Sequence, residues 1–489
     1  MRRVALFLLA AAVSAAQAAP AREAGPTLTL DDAIQLALRR NRDLKVASFY
    51  PGIARANLLV ARGLFDPSLV ANRNFSETQF TTSLGPIPVS DNTKTDSYSV
   101  GIQGLLPLGT QYTIYGSTVE IRDTYNGITR NYQTFGGFQV TQPLLKGFGL
   151  SANLVNVRIA KANRSINDLT YRQSAIDTVT NVVVAYSTLQ LAHDQLDAAD
   201  RARGLALQQL DENEKRYRVG QASQSDVLTS RAYASQYEES ILIAQRQVRD
   251  AQNYLGSLIG EETFFEDEPL FTLAPMEVPE VTIDRKADLE RALSLRPDYQ
   301  QQRLAIVKSR ATEAYAVNSL LPEVNFIGGY GYNGSAYTFS ASKQMVQDHL
   351  NPSVSAGVAV TIPLTFSAGR GNLRSARLQR EQAEAALKQL EANIALGVAT
   401  AEGQIEVTRK RVVADQAAVE LAKKSLEAEE KKQKAGMSST LSVVQQEQLL
   451  AFYESSISNA LAAERQAVAN YDHALGTTLD RHHIKLAND

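Results

Sequence analysis

Residues 216–228 read RYRVGQASQSDVL, and residues 432–444 read KQKAGMSSTLSVV. Aligned, the two segments set Gly220 on Gly436 and Val227 on Val443, and the match runs on to Tyr237 on Tyr453 and Arg249 on Arg465. Each copy passes from basic residues through a glycine and a polar stretch back to apolar residues, as where one helix stops and the next starts. Working outward, QVTQPLLKGFG from Gln139 matches AVTIPLTFSAG from Ala359, with Pro143 on Pro363 and Gly149 on Gly369. DDAIQLALRRNRDL from Asp31 matches ADLERALSLRPDY from Ala287, with Asp43 on Asp298 and, in the same register, Pro67 on Pro322. The chain is an internal duplication. Each half reads short helix, strands, long helix, glycine turn, returning helix.

Proline placement supports that order. None of the 15 prolines falls between Pro143 and Pro269 or after Pro363, so two long stretches lack the strongest helix breaker. Tyr237, Ile241, Ala244, Val248, Ala251, Leu255 and Leu258 step by four and three, the rhythm of a coiled-coil seam. Ile405, Val412, Val419 and Leu426 recur every seventh residue, and Ile159, Ile166, Leu169, Ile176 and Val183 nearly so. These stripes are read as packing seams.

The segments before the rods have period two. Val354, Ala356, Val358, Val360 and Ile362 alternate with Ser353, Ser355, Gly357, Ala359 and Thr361, and Tyr98, Val100 and Ile102 alternate with Ser97, Ser99, Gly101 and Gln103. Such strands carry one apolar and one small or polar face. Charge is sparse in residues 65–145, and Tyr and Phe concentrate in 65–145 and 322–366, as in a membrane band with aromatic girdles. A soluble β-sandwich is the competing reading of these features. Four candidate strands lie in the first half, near residues 68–80, 97–104, 111–121 and 135–142, which gives six per chain with the second half. The links 83–96 and 123–131 are expected to be long, and Pro107-Leu108-Gly109 a tight turn.

With 489 residues, Lys+Arg 50 against Asp+Glu 52, and no cysteine, the chain has no whole-molecule field for nucleic acid, and no disulfide, thiolate site or lipoprotein acylation cysteine. Arg2 and Arg3, the apolar run 4–13 and Ala15-Ala16-Gln17-Ala18-Ala19 have the pattern of a secretory signal over residues 1–18. No later run reaches the ~18 apolar residues of a membrane-spanning helix. Export to the periplasm, the medium or an outer membrane follows.

ALRRNRDL and ALSLRPDY, the QPL and IPL elements, the two glycine turns, and the NYLGSLIG and NYDHALGTTL endings together resemble the TolC-type outer-membrane efflux channels over about residues 27–480. The resemblance implies a mainly α fold with a β-barrel part. Residues 1–18 would be the signal, 19–66 the first helices, 67–143 barrel strands and 144–260 a long helical hairpin. Residues 261–285 would be an equatorial linker, 286–321 helices, 322–366 barrel strands, 367–476 the second hairpin and 477–489 a tail. It further implies a homotrimer whose strands close one barrel in outer-membrane lipid and whose helices form a tunnel in the periplasm. Such a duct passes substrates exported by an inner-membrane transporter through a periplasmic adaptor, in efflux or type I secretion. One chain has too few strands to close a barrel, and an open sheet edge is not tolerated in lipid.

In that family the helix turns meet the adaptor, which assigns Val219, Gly220, Gln221, Ala435, Gly436 and Met437 to docking. A plain helix C-cap is the other reading of both glycines. Family members carry acids just inside the entrance; here those positions hold Asp226, Ser442 and Gln445, so a double acidic ring is incomplete. Asp226 reads equally as a first-turn acid favoured by the helix dipole.

Gly329-Tyr330-Gly331-Tyr332-Asn333-Gly334 fits G-x-G-x-x-G, but no helix opens after it, and a barrel strand is the better assignment. No P-loop, zincin or serine-hydrolase motif is present. His193, His349, His473, His482 and His483 lack metal-ligand spacing, His482-His483 reads as a solvated tail, and Met1, Met276, Met345 and Met437 are too few for a copper relay. No cofactor and no enzymatic activity are expected. The alternative from another class is a structural or adhesive trimeric coiled-coil envelope protein, which would need one strand block rather than two at matching positions.

Overall fold

The computed structural model of the chain describes residues 27–84, 87–123, 128–260 and 272–486. The signal segment 1–18 lies outside the described residues, as do positions 261–271 of the expected linker. The first half runs β1 (Thr27–Leu28), α1 (Leu30–Arg40), α2 (Arg42–Ala47), α3 (Tyr50–Arg62), β2 (Ser68–Leu84), β3 (Ile87–Leu105), β4 (Gln111–Asp123), β5 (Ile128–Pro143), α4 (Leu150–Asn153), α5 (Val155–Arg218) and α6 (Gln224–Ile259). The second runs β6 (Thr272–Leu273), α7 (Arg285–Leu295), α8 (Pro297–Asn318), β7 (Glu323–Ala336), α9 (Phe339–Gln347), β8 (Pro352–Thr361), α10 (Ser367–Lys434), α11 (Thr440–Leu475) and α12 (Thr478–Arg481). The repeat is visible in length: α5 and α10 have 64 and 68 residues, and α6 and α11 have 36 each.

Contacts divide the chain into two compact units, which the long helices share. Among the described residues, the first is drawn from 27–39, 182–260, 272–278 and 414–462. Within it the α5–α6 pair is joined by Asn213 to Ser230 (2.7 Å), and the α10–α11 pair by Ser456 to Asp415 (2.9 Å) and Ser425 to Gln446 (2.9 Å). Gln195 on α5 reaches Asn459 on α11. The seam expected on α6 is the buried one: Ile241, Ala244, Val248 and Leu255 are buried, with Tyr237, Ala251 and Leu258 half-buried. Each fully buried Leu or Ile contributes about 1.5–3 kcal/mol. On α5, Val182, Val183, Ala185, Tyr186, Ser187 and Leu189 are all buried, more than one stripe, so that stretch is enclosed on most sides. β1 and β6 pair in parallel beside it, and the Tyr186 hydroxyl lies 2.9 Å from the Leu28 carbonyl and 2.7 Å from that of Ala274.

The second unit, drawn among the described residues from 40–181, 279–413 and 463–486, holds one six-stranded antiparallel sheet in the order β2-β3-β4-β5-β7-β8. All four candidate strands of the first half are present. Pro107-Leu108-Gly109 forms the turn between β3 and β4, with Gly109 at φ 95 and its N–H bonded to the Leu106 carbonyl at 2.8 Å.

Three features differ from the sequence reading. The expected long links at 83–96 and 123–131 are mostly strand, since β2 reaches Leu84, β3 starts at Ile87, β4 reaches Asp123 and β5 starts at Ile128. Their Ser, Thr, Asn and Asp residues looked like loop formers, but cross-strand partners hold them in the ladder: Gln79 donates to Ser90 (3.1 Å), Asn92 donates to Glu77 (2.9 Å) and Lys94 pairs with Glu77 (2.9 Å). Second, the block 322–366 contains the helix α9 between its two strands. Third, of the two histidines read as a solvated tail, His483 is exposed but His482 is half-buried, and the helix α12 before them buries Thr478 and Leu479.

Candidate functional site: two faces of a sheet and two helix turns

The register of the sheet sorts its side chains by chemistry. Leu69, Ile102, Ile114, Phe138, Tyr330 and Val354 are successive partners across all six strands, so they form one row on one face. All are large, and each is between 39% and 74% exposed. The neighbouring row, on the opposite face, is Ser68, Gln103, Thr113, Gln139, Gly329 and Ser355. At this level of the sheet, alternation along each strand therefore becomes an apolar row on one face and a polar row on the other, and farther along the second face Tyr115 packs against Phe135. Val100, Phe326, Val358 and Val360 extend the exposed apolar face. A soluble sandwich would cover such a face against a second sheet; among the described residues the one other sheet is the pair β1–β6, two residues per strand and part of the first unit.

The G-x-G-x-x-G glycines have packing reasons in this sheet. A Cβ on Gly331 would meet the Phe135 ring, and one on Gly334 would collide with the Ser342 carbonyl, because α9 seats on β5 and β7 there. Ser342 is fully buried and its hydroxyl is 2.8 Å from that of Thr134, while Phe339 lies against Tyr132 at 6.3 Å. Tyr132, Thr134 and Gly334 have the same parity as Phe138 and Tyr330, so α9 lies on the face that carries the apolar row.

The two glycine turns are built alike. At the first, the Gly220 N–H bonds to the Tyr217 carbonyl (3.0 Å) and the Gln221 N–H to that of Arg216 (2.8 Å). At the second, Gly436 bonds to Gln433 (3.0 Å) and Met437 to Lys432 (2.9 Å). This pair of bonds is the Schellman closure, which needs a left-handed residue, and the two glycines have φ 76 and 72. Lys215, Arg216 and Arg218 close α5, and Lys431, Lys432 and Lys434 close α10, where the helix dipole favours cations. Val219 and Met437 are 69% and 74% exposed, and Gly220, Gln221, Ala435 and Gly436 are exposed as well.

Of the three entrance candidates, Asp226 closes a capping box at the start of α6. Its carboxylate accepts from the Ser223 hydroxyl (2.7 Å) and N–H (2.9 Å), and these bonds hold it below the usual aspartate range. In the second repeat, Ser439 accepts from the Ser442 N–H at 3.2 Å, and Gln445 is exposed. Asn213, Ser230, Gln433 and Thr440 form a buried polar cluster that the sequence reading missed.

The repeats differ in charge nearby. Matching Gly220 to Gly436 sets Arg231 on Glu447 and Glu214 on Glu430. In the first repeat Arg231 and Glu214 form an ion pair at 2.9 Å. In the second both positions are acidic, and burial, then the Glu430 and Glu212 charges, push Glu447 up to about 7.

In the second unit the repeat motifs meet one another. Arg296 of ALSLRPDY donates to the Ala474 carbonyl (3.0 Å) near the end of α11 and pairs with Asp298 (2.7 Å). Tyr471 of NYDHALGTTL donates to the fully buried Asp288 at 2.6 Å, and burial with that bond raises the phenol's pKa. His473 lies 2.8 Å from Asp177. Among the described residues no cluster of His, Asp and Glu could hold a metal ion. The motifs thus serve packing and helix capping.

The sequence profile of the outer membrane efflux protein family matches residues 33–261 and 289–477, one segment in each repeat. No curated protein sequence matches the chain. Among solved structures, the outer-membrane channel OprN is similar at 18% identity, over 91% of this chain and 89% of that one, with a TM-score of 0.70. The outer membrane protein VceC of Vibrio cholerae is similar at 18% identity, over 91% and 96%, with a TM-score of 0.66. The open state of the Neisseria gonorrhoeae MtrE outer membrane channel gives 19%, 91% and 88%, with a TM-score of 0.64. At such identities the likeness establishes the fold, and the profile match establishes the rest: with matched segments in both repeats covering most of its length, the chain belongs to the outer membrane efflux protein family.

Proposed function

We propose that the chain is one protomer of a homotrimeric outer-membrane exit duct for efflux or type I secretion, conducting substrates passively. The observation that carries this is the pair of neighbouring rows, one wholly apolar from Leu69 to Val354 and one wholly small or polar from Ser68 to Ser355. The first suits lipid and the second a wet lumen. β2 and β8 each leave an edge without a strand partner among the described residues, and a second and third copy would pair them. Three copies give an eighteen-stranded barrel, a size that leaves an aqueous channel. In this reading the long helices form the periplasmic tunnel. The turns Val219-Gly220-Gln221 and Ala435-Gly436-Met437 dock a periplasmic adaptor that links the duct to an inner-membrane transporter. Asp226, Ser442 and Gln445 face the entrance as a polar ring with one carboxylate per protomer, which the Ser223 donors hold in its charged form.

Electron microscopy of the full-length protein in detergent, without imposed symmetry, tests the assembly. A three-fold tube with a detergent belt and eighteen strands is expected, with conductance in planar bilayers. A solid fibre, or a particle without a belt, would refute the duct and favour an adhesive coiled-coil protein.

A further inference from the structure

Farther along the strands, the face that carries the apolar row changes from hydrocarbon to ionic. Arg73 stands four residues beyond Leu69 on β2, about 13 Å along the strand and roughly 10 Å along the membrane normal at a tilt of about 40°. There Arg73 pairs with Asp96 (3.0 Å), Lys94 with Glu77 (2.9 Å), and both Arg122 (2.6 Å) and Arg130 (3.0 Å) with Glu120. Among the described residues four cations thus meet three carboxylates in these pairs, and Glu120 serves two guanidiniums. The charges are layered: the Asp96 and Glu120 side chains are 18% and 14% exposed, whereas Arg73, Arg122 and Arg130 are 65%, 47% and 49% exposed. Arg73 lies over Tyr98 at 5.1 Å and Arg130 over Tyr132 at 5.9 Å, which supports each guanidinium from beneath. α9 rests on the same face over β5 and β7, with Phe339 against Tyr132, and bounds the ionic stripe on that side.

We infer that this stripe is a docking surface for the phosphorylated headgroups of glycolipid in the leaflet around the outer end of the barrel. The inference rests on the membrane reading above. On that reading, side chains on the apolar face just past the hydrocarbon band project into headgroups rather than into the lumen. The three arginines are outermost, and a planar guanidinium meets a phosphate with two parallel N–H donors. Each exposed guanidinium has five N–H donors, so it can keep its carboxylate and still offer an N–H edge to a phosphate.

The test uses the full-length assembly in phosphatidylcholine nanodiscs doped with a bis-phosphorylated diglucosamine lipid or with its dephosphorylated form, bound lipid being counted by native mass spectrometry. Wild type should retain the phosphorylated lipid at least tenfold better, and the preference should weaken with salt. The combined Arg73→Gln, Arg122→Gln and Arg130→Gln variant should lose the preference while inserting as well as wild type. Absence of a preference in inserted wild type, or an undiminished preference in the inserted variant, overturns the inference and leaves the duct standing. Failure of the wild type to insert overturns both.

Discussion

Glu447 offers a test of the repeat asymmetry. In solution a glutamate titrates near 4.5; in the fold, burial and the facing Glu430 and Glu212 raise Glu447 to about 7. That gap, at about 1.36 kcal/mol per pH unit, corresponds to about 3 kcal/mol. Because Glu447 is only half-buried, solvent screening reduces this to roughly 1–2 kcal/mol. Below about pH 4.5 the side chain is protonated folded or unfolded, and its contribution vanishes. Between there and about pH 7 the folded chain holds a proton that the unfolded chain has released, so stability falls as pH rises, and the full penalty applies above that range. Glu447→Gln keeps the shape without the charge. It should leave stability unchanged at pH 4.5 and raise it by roughly 1–2 kcal/mol at pH 8, read from urea unfolding followed by the helical circular dichroism signal. A gain of equal size at both pH values, or a loss at pH 8, would refute the reasoning. Glu447→Arg should give a gain at pH 8 by rebuilding opposite Glu430 the pair that Arg231 makes with Glu214.

Substitutions on the sheet should separate its faces: Ile114→Arg should reduce insertion into lipid vesicles, by about 2–4 kcal/mol if it lies near the midplane, while Thr113→Arg on the opposite face should insert normally. Gly220→Lys and Gly436→Lys impose a left-handed strain of about 1 kcal/mol and place bulk at the turns. Export measured in cells should fall while protein levels hold, and unchanged export would remove the docking role. Gly334→Val should unseat α9, since its side chain would occupy the position of the Ser342 carbonyl; faster protease cleavage within residues 337–350 is the readout. Tyr186→Phe removes a donor shared by the Leu28 and Ala274 carbonyls and should lower stability by about 1–2 kcal/mol in the same urea assay.

Much of the fold was legible because periodicity is local information. The four-three stepping through Ile241, Ala244, Val248 and Leu255 marks a buried stripe wherever the helix packs, and the two-residue alternation around Val354 marks a two-faced strand. The glycine turns were legible for a similar reason, since a left-handed cap demands the same residue in both copies. Strand length was not. Residues such as Gln79, Asn92 and Lys94 are polar in loops and in solvated ladders alike, and only their cross-strand partners distinguish the two. Asp226 reads from sequence both as an entrance acid and as a cap, and its two bonds to Ser223 make it a cap, a role that does not preclude the other.

The sequence by itself determined the duplication, the helix and strand order, the two turns and the family, because each rests on spacing along one chain. Tertiary structure decided what depends on which residues meet across it. Register alone turned six separate alternations into one apolar row and one polar row. The close approach of α9, permitted by the missing side chain at Gly334, put a helix where only strands were expected. Packing of α11 against its neighbours gave Glu447 its acidic surroundings while Arg231, its counterpart, found Glu214. Spacing records what repeats along a chain, whereas burial and charge pairing depend on neighbours that are far apart in sequence.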